Sequence, residues 1–405
     1  MTAPRRAGRG VYCLSTADWD APLWTNKQHL MSRLAASGVP VVYVDSLGLR
    51  APGLGGADVR RMASRLAAWR PLPREIISGR LWRDAPLVLP FHRRRDARAL
   101  NRVLLRARIR RVIARTPLHG PVLWTYTPTA VDVHDQRRFS ALVYHCVDDL
   151  AAYPGIDAPS FREAEKRLVE AADVCIASSR PLVEHLRRMG APDPLYWPNP
   201  ADTGAYSRAA RAAPPRAPGR PVTVGFIGAV QEHKVDMDLL CEAARLRPQW
   251  RFLMVGPVGI GLRSSGIAER ALPDNLQLLG GRPREDLPEL VARFDVCMIP
   301  YRLNEYTGGV FPMKVFEYLA AGKPVVATSL PSLIGGEVSH VRFADSPMDF
   351  VQAIDGALGD DADAAEERMR YADGFSWARR TEQARELLEE LWSPRAPAPA
   401  GISPA

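Results

Sequence analysis

The chain alternates short β-branched runs with stretches whose apolar residues recur at helical spacing. In the first half the runs are VYCLS (11–15), VVYV (41–44), PVLWT (121–125), ALVYHC (141–146) and VCIAS (174–178), with a helix near 26–37 and others between the later runs. Fully apolar strands separated by helices form parallel sheets covered on both faces. A second series follows: VTVGFIG (222–228), a helix from about 236, FLMVG (252–256), LQLLG (276–280), VCMIP (296–300), a helix from about 312, and PVVAT (324–328). The pattern predicts an α/β chain of two consecutive doubly wound domains. Residues 203–220, rich in Pro, Ala and Arg and without a usable hydrophobic period, read as the linker between them. The expected division is an N-terminal domain at 1–202, a C-terminal domain at 221–375, a last helix at 376–393 packing back on the N-terminal domain, and a disordered tail at 394–405.

Composition fits this division and narrows the setting. The 405 residues are 46% apolar and 24% charged, and no run approaches the roughly eighteen apolar residues of a membrane span. The start, MTAPRRAGRG, passes into a strand rather than a secretory apolar core, so a cytoplasmic chain is expected. Five scattered cysteines (Cys13, Cys146, Cys175, Cys241, Cys297), each in an apolar run, read as buried reduced thiols. The net charge of +9 is uneven: residues 50–115 hold 18 Arg against 4 acids, so the rest of the chain is net acidic. This basic insertion carries helical patterns near 58–69 and 96–115 around the apolar run PLVLP. No nucleic-acid motif accompanies it, which excludes that partner class. Trp69, Trp82 and Leu66 lie among Arg60, Arg61, Arg65 and Arg70, a mixture suited to an anionic membrane surface and hence to peripheral association on the inner face of a membrane.

The richest chemistry lies in PYRLNEYTGGVFPMKVFEYLAAGKPVVAT (300–328). Gly308 and Gly309 follow a strand, Pro312 suits a helix start, and Gly322 with Pro324 ends that helix. A glycine loop entering a helix offers backbone N–H groups to an anion. Lys314 and Glu317, three apart, share a helical face beside it. The lysine suits a phosphate, and the carboxylate suits a vicinal diol such as ribose.

FPMKVFEYLAAGKPVVAT resembles the donor-site helix of GT-B glycosyltransferases of family 4, or group 1. LVYHCVDDLAAYPG, ASSRPLVEHL, YWPNPAD, VGFIGAV, DLPELVARFDVCMIPY and GFSWARR resemble, in order, that family's bacterial cell-surface polysaccharide branch, of the teichuronic-acid type. The resemblance implies two Rossmann-like domains facing across a cleft, a nucleotide-diphosphate sugar held mainly by the C-terminal one, retention of configuration, and no metal or other cofactor. Of the family's two glutamates, the second matches Glu317, placed on the ribose. The first is replaced by Gly309, and Glu305 is the candidate substitute; the backbone of Gly308, Gly309, Val310 and Phe311 stays available to sugar or phosphate. Gly228 and Gly256, closing their strands, belong to the same donor side. Lys234, in AVQEHKVDMD, is the candidate for stabilising the departing phosphate. His145 ends a strand beside Asp148 and Asp149, and is the candidate catalytic group on the acceptor side; His145 or Asp18 would supply the base of an inverting enzyme. Trp24, Thr25, Asn26 and Lys27 occupy a loop where family members carry glycines and are acceptor-side candidates. Asp236 with Asp238, and Asp361 with Asp363, read as helix starts rather than metal ligands. The glycines of VGFIGAV and VGPVGIG do not match a dinucleotide fingerprint. The expected activity is transfer of a sugar to a hydroxyl acceptor, a glycan, lipid-linked or small molecule, in surface-polysaccharide or glycolipid assembly. Two alternatives are a natural-product enzyme with a soluble aglycone and an inactive sugar-nucleotide-binding partner subunit.

Overall fold

The computed structural model describes residues 9–21, 24–47, 72–88, 95–152, 156–259, 270–334 and 338–393. They form two sheets. The first contains β1 (Val11–Leu14), β2 (Val41–Val44), β3 (Arg74–Ile77), β4 (Leu81–Asp84), β5 (Val122–Thr125), β6 (Ala141–Cys146), β7 (Val174–Ala177) and β8 (Leu195–Tyr196), in the order β3-β4-β2-β1-β5-β6-β7-β8. The second contains β9 (Thr223–Ile227), β10 (Arg251–Val255), β11 (Leu276–Leu278), β12 (Val296–Ile299), β13 (Val325–Ala327) and β14 (Val341–Phe343), in the order β11-β10-β9-β12-β13-β14. Neighbouring strands are parallel except in the β3–β4 hairpin.

Strand alternation puts a core on each face of the first sheet. Tyr12 and Leu14 pack with Val42, Val44 and Leu123 on one side, while Val11 and Cys13 pack with Val41, Tyr43 and Trp124 on the other. The second of these cores is completed by the helix Trp377–Trp392, which buries Trp377, Ala384, Leu387 and Leu388 in it. The last helix therefore packs on the N-terminal domain. The two chain crossings between domains are bonded to each other: Ala201 N–H donates to the Phe375 carbonyl at 3.0 Å, and Trp377 N–H to the Ala201 carbonyl at 3.2 Å.

The structure departs from the sequence reading in three places. Residues 203–220 are not all linker, because Thr203–Ala212 is a helix whose Tyr206 is buried in the core of the C-terminal domain. Alanine and arginine favour helix, and one anchoring tyrosine gives too weak a period to read. The strand in the basic segment is β4, upstream of PLVLP, and it pairs with an unforeseen β3. Trp82 within it is core rather than surface; Arg83 is bound to Asp45 at 2.7 Å and to Asp20, and Arg108 to buried Asp84 at 2.5 Å. The third departure is β8 and β14, two- and three-residue strands too short to leave a pattern. The helix expected near 96–115 is found at Arg95–Ile113. The one expected near 58–69, with Arg60, Arg61, Arg65, Leu66, Trp69 and Arg70, lies outside the described residues, as does the tail at 394–405. All five cysteines are buried and unpaired, and no helix among the described residues is long and apolar enough to cross a membrane.

Candidate functional site

Doubly wound sheets bind ligands beyond the carboxyl ends of their strands, where the strand order reverses. In the second sheet this point lies between β9 and β12, and in the first between β1 and β5. The loops leaving these strands, and the one leaving β6, carry most of the candidate residues.

On the C-terminal side the chemistry centres on Tyr301, a residue that sequence reasoning passed over. Its ring is buried. The Lys314 ammonium donates to its hydroxyl at 2.5 Å and lies 4.8 Å from the centre of the Phe226 ring. Lys234 Nζ lies 4.8 Å from the centre of the Tyr301 ring, with its hydroxyl as a further hydrogen-bond partner. Backbone bonds set this arrangement: Asp236 N–H donates to Pro300 O and Arg302 N–H to Lys234 O, both at 2.8 Å, tying the Lys234 loop to the Tyr301 segment. Gly228 has φ +134°, and a Cβ there would sit 3.1 Å from Lys314 Nζ; Gly256 has φ +154°, and its Cβ would overlap the Gly228 carbonyl at 2.0 Å. These glycines allow close approach and leave the space that the lysine fills.

Burial alone would raise the Tyr301 phenol, but Lys234 and Lys314 bring it down to about 8. Burial opposes the charge on Lys234, and Tyr301, Tyr306 and Asp148 more than compensate, raising it. Lys314 is lowered, chiefly by burial. Glu317 is raised, also by burial, against the effects of Lys314 and Arg284 and a hydrogen bond with Tyr206. Tyr206 and Arg284 come from outside the recognised motif.

From the N-terminal side come Lys27 and Asp148. Lys27 is lowered by burial and Asp148 raised by it, each partly offset by the other, and Lys234 also acts on Asp148. A carboxylate thus stands under the influence of one lysine from each domain. Ser179 Oγ donates to the Gly309 carbonyl at 3.4 Å across the cleft, and a Cβ on Gly309 would lie 3.6 Å from that of Asp149. Arg284 and the His29 ring make a further contact between the domains.

Several candidates are placed elsewhere. His145 sits within β6 on the face covered by the last helix, stacked on Tyr126 at 5.0 Å and edge-on to Trp197 at 6.1 Å. Burial, then Arg380 and Lys27, hold it well below the usual histidine range. It lines a small pocket with room for about one water, between Asn26 and Arg380. Its strand-end position suggested the cleft, but alternation turns it into the domain. Asn26 donates to Asn199 at 2.8 Å and lines the same cavity. Trp24 packs on Trp19 at 4.8 Å, and Thr25 caps the helix Asn26–Ala36 through Gln28. Of that loop, Lys27 alone joins the charged group. Asp149 holds Arg162 at 2.6 Å, and Asp18 accepts from Ser46 N–H at 3.2 Å. Gly308 and Val310 N–H donate to Asn304 and Thr307 carbonyls, so these two amides are engaged within their own turn rather than open to an anion. Phe311 is core, stacked on Phe316 at 5.6 Å. Glu305 is exposed and is not among the principal charges acting on Lys234 or Lys314. Asp236 caps the helix Met237–Leu246, Asp238 pairs with Arg270 and Arg302, and Asp361 caps the helix Ala362–Asp373.

Two doubly wound domains with charged groups meeting across their cleft define the GT-B fold. Chains with this fold superpose over nearly the full length: sucrose-phosphate synthase of Thermosynechococcus elongatus (TM-score 0.66, 19% identity, 95% of this chain and 99% of that one) and Anabaena HepE in complex with UDP (TM-score 0.66, 17% identity, 95% and 100%). Residues 221–360, about a third of the chain, are similar to the family model of the group 1 glycosyl transferases. TuaH of Bacillus subtilis strain 168, which carries the name of a teichuronic acid biosynthesis glycosyltransferase, is 34% identical over 218 residues. That match spans 52% of this chain and 54% of TuaH, about half of each.

Proposed function

We propose that the chain is a retaining glycosyltransferase that moves a sugar from a nucleoside diphosphate to a hydroxyl acceptor in surface-polysaccharide or glycolipid assembly. The observation that carries this reading is the convergence of Lys234 and Lys314 on one buried phenol at the strand-order reversal of a group 1 domain, with Lys27 and Asp148 facing them from the other domain. Two ammonium groups held this closely have a diphosphate as their natural counter-ion. Glu317 is placed to exchange its Tyr206 hydrogen bond for the ribose hydroxyls. The chemistry then needs little more than two positioned substrates and fixed positive charge at the departing phosphate, which Lys234 supplies. Asp148, flanked by Lys27, is placed to orient the acceptor hydroxyl. No metal takes part, and the roles of Asp236 and Asp238 as a helix cap and an arginine partner support this.

The polymer assignment draws on the name of TuaH, and a UDP-type donor on HepE having been solved with UDP. We further propose an anionic membrane surface as a partner. On the helix Arg95–Ile113, Leu100, Val103 and Leu104 are 48%, 62% and 48% exposed beside exposed Arg102, Arg106 and Arg110.

The test is binding and turnover with a panel of UDP, GDP and dTDP sugars, with and without EDTA. One donor should bind and be slowly hydrolysed, unaffected by chelation. Glu317→Ala should weaken that donor about tenfold or more, because ribose hydroxyls are left unpaired in the cleft. Unchanged affinity in the variant would remove Glu317 from the site, and a chain that binds none of the panel would overturn the reading.

A further inference from the structure

We propose that Tyr301 is a positioning residue that acts as a proton-coupled placeholder for the donor diphosphate, its hydroxyl oxygen holding Lys234 and Lys314 in place until the phosphates take them over. The assignment rests on the donor reading above. Its basis is geometric. The two lysines come from different elements, Lys234 from the loop after β9 and Lys314 from the start of the helix Lys314–Ala320, yet both reach one phenol oxygen, Lys314 at 2.5 Å. The phenol is buried, with 1% of its surface exposed. Two like charges brought together out of water repel unless an anion lies between them. The Tyr301 oxygen is the group they share. A phenol oxygen accepting from two ammonium donors is stabilised as phenolate, which is why its ionisation falls to about pH 8 while burial works the other way.

The other charges around Tyr301 do not take this part. Asp148, from the opposite domain, acts on Lys234; Glu317, on the helix Lys314–Ala320, acts on Lys314. Tyr306 faces Lys234, and Tyr318, on the same helix, is itself held well above its ordinary range by burial. When a diphosphate engages the lysines, its negative charge lies against the Tyr301 oxygen. Above pH 8 the oxygen then takes up one proton from solvent, O⁻ becoming O–H, and no other bond is made or broken.

The consequence is a linkage with a definite sign. Below pH 8 Tyr301 is already protonated and diphosphate affinity does not depend on it. Above pH 8 each bound diphosphate takes up a proton, so affinity falls by up to about tenfold per pH unit. The experiment measures binding of UDP and of GDP to wild type and to Tyr301→Phe from neutral pH to about pH 9.5, together with the near-ultraviolet tyrosinate band. Tyr12, Tyr43, Tyr126, Tyr144, Tyr206 and Tyr318 are all pushed up, so they stay silent in this window. The proposal expects the fall in wild type, its loss in Tyr301→Phe, and a tyrosinate signal near pH 9 that the nucleotide removes. A fall that persists in Tyr301→Phe would assign the proton to Lys314 and overturn the proposal while leaving the donor reading intact. Equal weakening of the variant at every pH would show a merely structural tyrosine and overturn it as well. Failure of wild type to bind UDP, GDP or, from the panel above, dTDP at any pH would overturn both together.

Discussion

Lys314 owes its position to an absence, since a side chain at Gly228 would crowd its ammonium. Lys234 owes its own to two backbone bonds from the Tyr301 segment. The lysines therefore differ in what they can contribute: Lys314 is fixed at the start of a helix, while Lys234, on a loop, is under the influence of Asp148 across the cleft. Lys234→Ala is expected to lower turnover by about 100-fold, about 3 kcal/mol, with a smaller loss of donor affinity, because its charge counts most as the phosphate leaves. Steady-state kinetics set against direct donor binding decide this, and equal losses in both would make Lys234 a binding group only. Helical spacing alone sets Lys314 and Glu317 on one face, while Lys234 stands out in the sequence through the resemblance, which implies a basic residue in its loop. Tyr301, Tyr206 and Arg284 were not legible in the sequence, since each acts through a partner far away in the chain. Tyr301 did leave one signal, its position directly after Pro300 at the end of a parallel strand. His145 stands against Tyr126 and Trp197 because side-chain alternation, not nearness to a strand end, decides which way a residue faces.

At the scale of elements, the helix Arg95–Ile113 shows how one pattern serves two surfaces. Ala97, Asn101, Leu105 and Ile109, at intervals of four, face inwards, and Leu100, Val103 and Leu104 remain outside. Such an apolar face bordered by arginines suits the boundary between lipid headgroups and acyl chains. Liposome co-sedimentation should show binding to anionic but not neutral vesicles at low salt, fading as salt shortens the reach of the charges. Replacing Leu100, Val103 and Leu104 by serine should abolish most of it without altering hydrolysis of the donor. Binding that survives the triple change, or that ignores lipid charge, would remove this face from consideration. The helix was readable from its period; the β3–β4 hairpin was not, because its strands REII and LWRD mix charge with apolar residues and fit no strict alternation.

For the whole molecule, the two series of apolar strands were enough to specify two doubly wound domains, since parallel strands buried on both faces leave the plainest trace a sequence carries. The crossing between the domains was harder to read, and its helix at Thr203–Ala212 belongs to the second domain rather than to a tether. The return crossing is where the architecture makes its sharpest demand. Removing residues from Trp377 onward should destabilise the N-terminal domain and leave the C-terminal one largely intact, and domain-resolved hydrogen exchange would show which half loosens. Leu388→Ala, a milder change in the same core, should cost about 2–5 kcal/mol. Loosening confined to the C-terminal half would contradict the packing described here. A chain emerging from the ribosome usually completes its first domain before its second. Here the first sheet waits for Trp377, Leu387 and Leu388 to finish one of its faces, which the helix Asn26–Ala36 covers only in part, so the first domain is the last to be completed, and throughout synthesis of the second it must keep the rest of that face bare.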